Sequence, residues 1–400
     1  MKAFPDVRES VRLLRSEVLE PVAGRFAGRE ELIELVALAL AASENLLIIG
    51  PPGTAKSRII SEIASRITGR FFECLLTRFT EPSEVFGPVD LKELREGKVV
   101  TRTEGMLPEA EVVFLDEVFN AGSAILNSLL GIINDGVFRR GSETRKTDLI
   151  SILGATNRVP DDPALRALED RFTLRVEARS MEPDRIQRLL ECGWAIERER
   201  LLGDGLRPPS RFDTAHLRRI HAALAAVDLV PVRGRIADAV KRIRSAGVFL
   251  SDRRAVKLQG LVAASAVLCG RGAAVPADMW PLRYLWEAPE DAPLLEEIAA
   301  DCAAPEGSGG DLEAGAEIHP LAGAARSPAD LLARARRVEA ELDRLRRDGR
   351  SLDDEILHRL QDLDTERRSC KPRNPREEDA LRELGERLGS IADSLARKPD

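Results

Sequence analysis

The residues Gly50, Pro51, Pro52, Gly53, Thr54, Ala55, Lys56 and Ser57 bring two glycines, a lysine and a hydroxyl into one short stretch. That set can hold a polyphosphate. Glycines let successive backbone N–H groups turn inward around a phosphate, and the start of a following helix adds positive potential. The lysine adds a point charge, and the serine hydroxyl can bind Mg²⁺. This chemistry needs a strand before the loop and a helix after it. The apolar run Leu46, Leu47, Ile48, Ile49 supplies the strand, and the run from Ile59 through Ile63 and Ala64 supplies the helix. A chance match in a Gly/Pro-rich loop would lack both flanks.

A second set would turn binding into hydrolysis. Val112, Val113, Phe114 and Leu115 form an apolar run that ends in Asp116 and Glu117. A buried parallel strand carries such carboxylates to its carboxyl end, where open α/β sheets bind ligands. There Asp116 would reach Mg²⁺ through water, and Glu117 would act as general base on the attacking water. An acidic pair after an apolar run is common in itself; its place downstream of the lysine loop gives it meaning. A third run, residues 149–156, ends at Asn157, whose amide could bridge the γ-phosphate and the lytic water, or simply form a turn. The segment 167–172 reads as a short helix ending in Arg171, which could act on a neighbour's γ-phosphate. Spacing alone favours a surface ion pair for it.

Taken together, the order GPPGTAKS, FLDE, GATN and LEDRF looks like an AAA+ ATPase. More narrowly the chain resembles the MoxR family, and within it the RavA-like branch. The resemblance is carried by LLTRFTEPSEVFGPVDLKEL, GMLPEAEVVFLDEVFNAGSAILNSLLGIINDGVFRRG and SDRRAVKLQ, and it covers about residues 20–290. It implies that Arg171 is the arginine finger and that Arg253, in SDRR, is the sensor-two arginine. Many relatives read Ser-Pro-Arg there, so Arg254 leaves the assignment open by one position. It also implies a hexameric ring, ATP with Mg²⁺, and adenine placed near residues 26–29. A partner carrying a von Willebrand A domain with a metal-dependent adhesion site is a further implication.

The elements that must position these residues follow from pattern. Residues 1–180 read as an α/β nucleotide-binding core with an N-terminal helix and a parallel sheet. Within it, residues 90–103 read as two short strands around a Glu-Gly turn, which the resemblance makes part of a helix-two insert at about 86–105. Residues 131–141 read as a helix end, an Asp-Gly turn and a strand start. Residues 181–300 are helical in period, with Ile220, Leu224 and Val227, and then Val256, Leu258, Leu261 and Val262, as apolar positions. This is the expected lid. Residues 301–326 are rich in Gly, Ala and acid and read as a linker. Residues 327–400 carry three apolar stripes, the last opening at Asn374 and Pro375, and are expected to form a helical hairpin or three-helix bundle. Some RavA-like relatives carry a further compact domain; no strand-rich segment here would supply one.

Composition narrows the field. The net charge of −7 and 4% aromatic content do not fit a nucleic-acid binder, which uses basic grooves and stacking rings. A basic stripe of Arg233, Arg235, Lys241, Arg242 and Arg244, then Arg253 and Arg254, is either a phosphate or subunit contact or a solvated helix face, and the solvated face is expected except at Arg253. The longest apolar run is too short for a membrane span, and the first ten residues carry no apolar segment, so no signal peptide is expected there. Five cysteines are scattered, odd in number and never in CxxC spacing, which argues against a disulfide scaffold and a zinc site and fits a reducing cytoplasm. The expected function is Mg-dependent ATP hydrolysis in a ring, coupled to remodelling or assembly of a partner protein. The alternatives are a nucleotide switch or scaffold without remodelling, or a nucleic-acid motor.

Overall fold

The computed structural model describes residues 4–140, 143–160, 162, 165–181, 186–202, 210–304, 318–322, 364, 367 and 375–396. It divides into two compact units, Met1–His319 and Pro320–Asp400. The first is built on five parallel strands: β1 (Leu46–Ile49), β2 (Phe71–Leu75), β3 (Val112–Asp116), β6 (Ser151–Thr156) and β7 (Leu174–Glu177). Their order is β2-β3-β6-β1-β7. A separate antiparallel hairpin pairs β4 (Val137–Arg140) with β5 (Glu143–Lys146). Every residue of β1 and β6 is buried. Strands covered on both faces read as continuous apolar runs, which is why LLII and VVFL were legible as strands without alternation.

Helices follow the strands as parallel crossovers require. The N-terminal helical run is α1 (Arg8–Leu13), a π-helical stretch (Leu14–Leu19) and α2 (Glu20–Arg25). Next come α3 (Glu30–Ala42), whose last ten residues apart from Glu34 are largely buried, and α4 (Lys56–Ala64). Short helices α5 (Pro82–Phe86) and α6 (Leu91–Arg95) lie between β2 and β3. Helix α7 (Ser123–Asp135) ends at left-handed Gly136 and turns into β4, as the Asp-Gly pair predicts. Helix α8 (Arg166–Glu169) precedes β7.

The helices after the core, in the region expected as the lid, are α9 (Ile186–Leu202), α10 (Thr214–Ala223), α11 (Val230–Ser245), α12 (Asp252–Leu268), a 3-10 stretch (Pro276–Tyr284) and α13 (Ala292–Ala303). The apolar period holds at Ile220, Leu258, Leu261 and Val262, all buried, but Val256 is 64% exposed. Helix α10 stops at Ala223, so Val227 lies beyond it. Much of the basic stripe clamps helices together. Arg235 donates to the carbonyls of Cys302 and Ala304, Arg242 pairs with Asp301, and Arg244 holds Leu250 O and Asp252.

The two-strand expectation for residues 90–103 is corrected. Asp90 caps α6 by accepting from the N–H groups of Lys92 and Glu93, so its first arm is helical. Only the bridge between Val89 and Thr101 has strand character. A capping Asp before Leu-Lys-Glu-Leu-Arg, all good helix formers, outweighs the turn signal of Glu96 and Gly97.

In the second unit, α14 (Pro375–Ala396) buries Leu384, Leu388 and Ile391 along one stripe, as the 3- and 4-residue spacing predicts. The two earlier stripes of residues 327–363 lie outside the described residues, as do residues 305–317 and 323–326 of the expected 301–326 linker, whose first three residues instead end α13.

One close approach ties the sheet to the segment before β7. A Cβ at Gly154 in β6 would stand 2.8 Å and 2.9 Å from ring atoms of Phe172, which is fully buried. Gly154→Ala is expected to cost about 1–3 kcal/mol through overpacking. A lowered unfolding midpoint checks this; an unchanged midpoint would show that the ring can give way.

Candidate active site

The sheet register brings the candidate residues together. β1, β6 and β3 are neighbours, with Ile49 opposite Thr156 and Leu115 opposite Gly154. The lysine loop leaves β1, Asn157 leaves β6, and Asp116 and Glu117 end and follow β3, so all emerge at one carboxyl edge. The Gly50 N–H donates to Thr156 O at 3.0 Å, which levels the loop with the end of β6. A Cβ at Gly50 would meet Ala178 O at 2.3 Å, so no larger residue can start this loop in place.

Pro51, Pro52, Gly53, Thr54 and Ala55 complete the turn into α4, with Gly53 (φ +84°) and Ala55 (φ +64°) left-handed. Thr54 braces the turn through its hydroxyl, which donates to Pro51 O at 3.0 Å. The Lys56 ammonium is buried and donates to the carbonyls of Gly50 (2.5 Å) and Pro51 (2.9 Å). Burial pushes the Lys56 pKa down, and the Asp116 and Glu117 carboxylates oppose that shift. Ser57 Oγ donates to Asp116 Oδ2 at 2.6 Å. A hydroxyl and a carboxylate facing each other at the start of a helix are hard oxygen donors, the kind that Mg²⁺ takes beside phosphate oxygens. Among the described residues no cluster of three or more His, Cys, Asp or Glu could hold a metal ion without such help.

Glu117 has a left-handed backbone (φ +53°), and its N–H returns to Asp116 Oδ1 at 3.0 Å. Its carboxylate accepts from the amide of Asn157 on one oxygen and of Asn120 on the other, the latter at 3.3 Å. Asn120 was missed in the sequence. It follows Glu117 by one 3-10 turn, Val118–Asn120, and that spacing was the available signal.

Arg171 and Arg253 stand apart from this group. No hydrogen bond or ion pair joins Arg171 to residues 50–57, Asp116, Glu117 or Asn157 of its own chain. Arg171 follows α8, is half-exposed, and is anchored by its backbone, with Leu168 O accepting from its N–H and its own carbonyl accepting from Asn45. Its Nε is shielded and unpartnered. Arg253, half-exposed in the first turn of α12, has a shielded Nη1 without a partner. Arg254 is wholly buried and committed. It donates to Leu285 O, Trp286 O, Glu169 O and Phe172 O, and pairs with Asp170 at 3.4 Å. Of the two arginines, only Arg253 retains donors for a ligand.

Residues 12–206 match the family model described as the MoxR domain in the MoxR-vWA-beta-propeller ternary systems, and residues 229–299 match an AAA lid domain. The chain is 34% identical over 288 residues to Uncharacterized protein MJ0079 of Methanocaldococcus jannaschii, covering 71% of this chain and 73% of that protein. It is also 34% identical over 278 residues to Uncharacterized protein MJ0812 of the same organism, covering 69% and 72%. A crystal structure of a "putative ATPase" from Cytophaga hutchinsonii shares the fold at a TM-score of 0.59 and 17% identity, covering 73% of this chain and 94% of that one. With its parallel core, its lid and these matches along both, the chain belongs to the MoxR family of AAA+ ATPases.

Proposed function

We propose that the protein hydrolyses ATP in an oligomeric ring, a hexamer by family resemblance, and uses the lid's movement to remodel or assemble a partner protein. The observation that supports this best is the single carboxyl edge carrying Lys56, Ser57, Asp116, Glu117 and Asn157. In this reading the N–H groups of the turn and the α4 terminus cradle the phosphates. Lys56 neutralises their charge. Ser57, and Asp116 through water, would hold Mg²⁺, which would neutralise charge on the phosphate oxygens. Glu117, held by two amides, accepts the proton of the attacking water, and Asn157 orients that water. Arg253 contacts the nucleotide from the lid.

Arg171 lies outside its own chain's group of site residues and keeps an unpartnered Nε. Offered to the next subunit, it would complete that subunit's site. The family model takes its description from systems in which a MoxR domain accompanies a vWA protein, and a von Willebrand A domain partner is part of this proposal. A cytoplasmic working site is too; Cys74, Cys192, Cys269 and Cys302 are free thiols. Among the described residues no helix is long and apolar enough to cross a membrane.

The test is ATP hydrolysis per subunit across a protein dilution series. Sites shared between subunits are expected to give specific activity that rises steeply with concentration. Equal activity at every dilution would overturn the ring and leave a self-contained enzyme.

A further inference from the structure

The segment that carries Arg171 is gripped from the lid. Glu169 O and Phe172 O, on either side of Arg171, accept from Arg254 Nη2 at 3.3 Å and 3.2 Å. Asp170 pairs with Arg254 Nε at 3.4 Å and accepts from Ser251 Oγ at 2.9 Å. The other end of the guanidinium is fixed in the lid by Leu285 O and Trp286 O, with Glu287 at 3.8 Å. A second buried arginine, Arg175, closes the joint by bonding Glu287 O at 2.6 Å and Glu169 O at 3.2 Å. Behind Phe172 stands Gly154 of β6, close enough to exclude a methyl group. The loop bearing Arg171 is thus held between the sheet and the side chains of Ser251 and Arg254.

Residue order adds a second meaning. Arg253 and Arg254 share the first turn of α12, with Ser251 as its cap. Arg253 keeps a shielded Nη1 without a partner, and Arg254 is spent partly on the backbone around Arg171.

We propose that Arg254 is a positioning residue for Arg171: the lid of one subunit, through Arg254, sets the loop from which that subunit offers Arg171 to its neighbour. This rests on the reading of Arg171 as the group that completes the next subunit's site. A shift of the lid at one nucleotide is thereby passed to the nucleotide next door. A guanidinium is needed because its planar fork of donors reaches two lid carbonyls, two loop carbonyls and a carboxylate at once.

The test uses mixed rings. Glu117→Gln subunits cannot hydrolyse but still offer Arg171; Arg171→Ala subunits keep a full site but offer nothing. Mixed one to one, they are expected to recover ATP turnover that neither has alone. Arg254→Lys placed on the Glu117→Gln subunit should lower this recovery by about 10-fold or more, because a misplacement of about 1 Å in a catalytic group costs up to about 100-fold. Placed on the Arg171→Ala subunit, the same change should leave recovery within about twofold, since the loop it distorts carries no arginine. A general loss of stability would not distinguish the two placements. Asp170→Asn, which weakens the same joint from the loop side, should show the same asymmetry if the lysine variant does not fold. Equal loss on both subunits, or on neither, overturns the proposal. Failure of the parent pair to complement overturns the reading of Arg171 itself, and this proposal with it.

Discussion

Replacing Arg171 by alanine is expected to lower ATP turnover by about 10³- to 10⁵-fold, the range over which an arginine supplied to a phosphoryl-transfer site acts. Nucleotide binding should survive. Arg171 makes no hydrogen bond or ion pair with Lys56, Ser57, Asp116, Glu117 or Asn157 of its own chain, and its backbone anchors to Leu168 and Asn45 do not depend on the side chain. Steady-state hydrolysis beside a fluorescent-nucleotide titration separates the two effects. A variant that binds and turns over like the unaltered protein would return Arg171 to the surface, where one arginine among many belongs by default.

Glu117→Gln is the second large effect, an expected loss of about 10²- to 10⁴-fold in turnover, the usual contribution of a positioned general base. The substitution keeps size and keeps an amide oxygen to accept from Asn157 or Asn120, so the corner after β3 should hold. It removes the group that can take a proton. The bond between Ser57 and Asp116 is untouched, so binding of ATP with Mg²⁺ should persist, and single-turnover kinetics should show bound ATP that is not consumed. Turnover near the unaltered rate would require the proton to go elsewhere than the carboxylate that Asn157 and Asn120 hold.

Much of the core was legible because its signals are local. A strand buried on both faces is an apolar run, and a phosphate loop is fixed by a few glycines beside it; hence β1, β3 and β6 fell where LLII, VVFL and residues 149–156 indicated. The insert was misread for the same kind of reason. Asp90 as a helix cap and Glu96-Gly97 as a turn are both local signals, and periodicity does not arbitrate over five residues. Arg254 was beyond local reasoning. Its role depends on carbonyls from residues 169–172 and 285–286, brought together only by the docking of lid on core. The stripe of Arg235, Arg242 and Arg244 looked like a solvated or ligand-binding face, yet its partners, Leu250, Asp301 and Cys302 among them, lie mostly on other turns and helices.

The left-handed backbones of Ala55 and Glu117 impose a cost that falls on the fold. They are two of three such non-glycine residues among those described, and each conformation costs about 1–2 kcal/mol against a relaxed one. Glycine at either position would remove that strain, so a selection for heat resistance alone would favour it at both. The outcomes would differ. Position 55 contributes only backbone to the turn, and the turn could survive the change. Position 117 would lose its carboxylate, the bonds from Asn157 and Asn120 and, in the proposed mechanism, its turnover. In the proposed mechanism, the strain at 117 is therefore a standing temptation to drift toward an inactive protein, held off only while turnover itself is under selection.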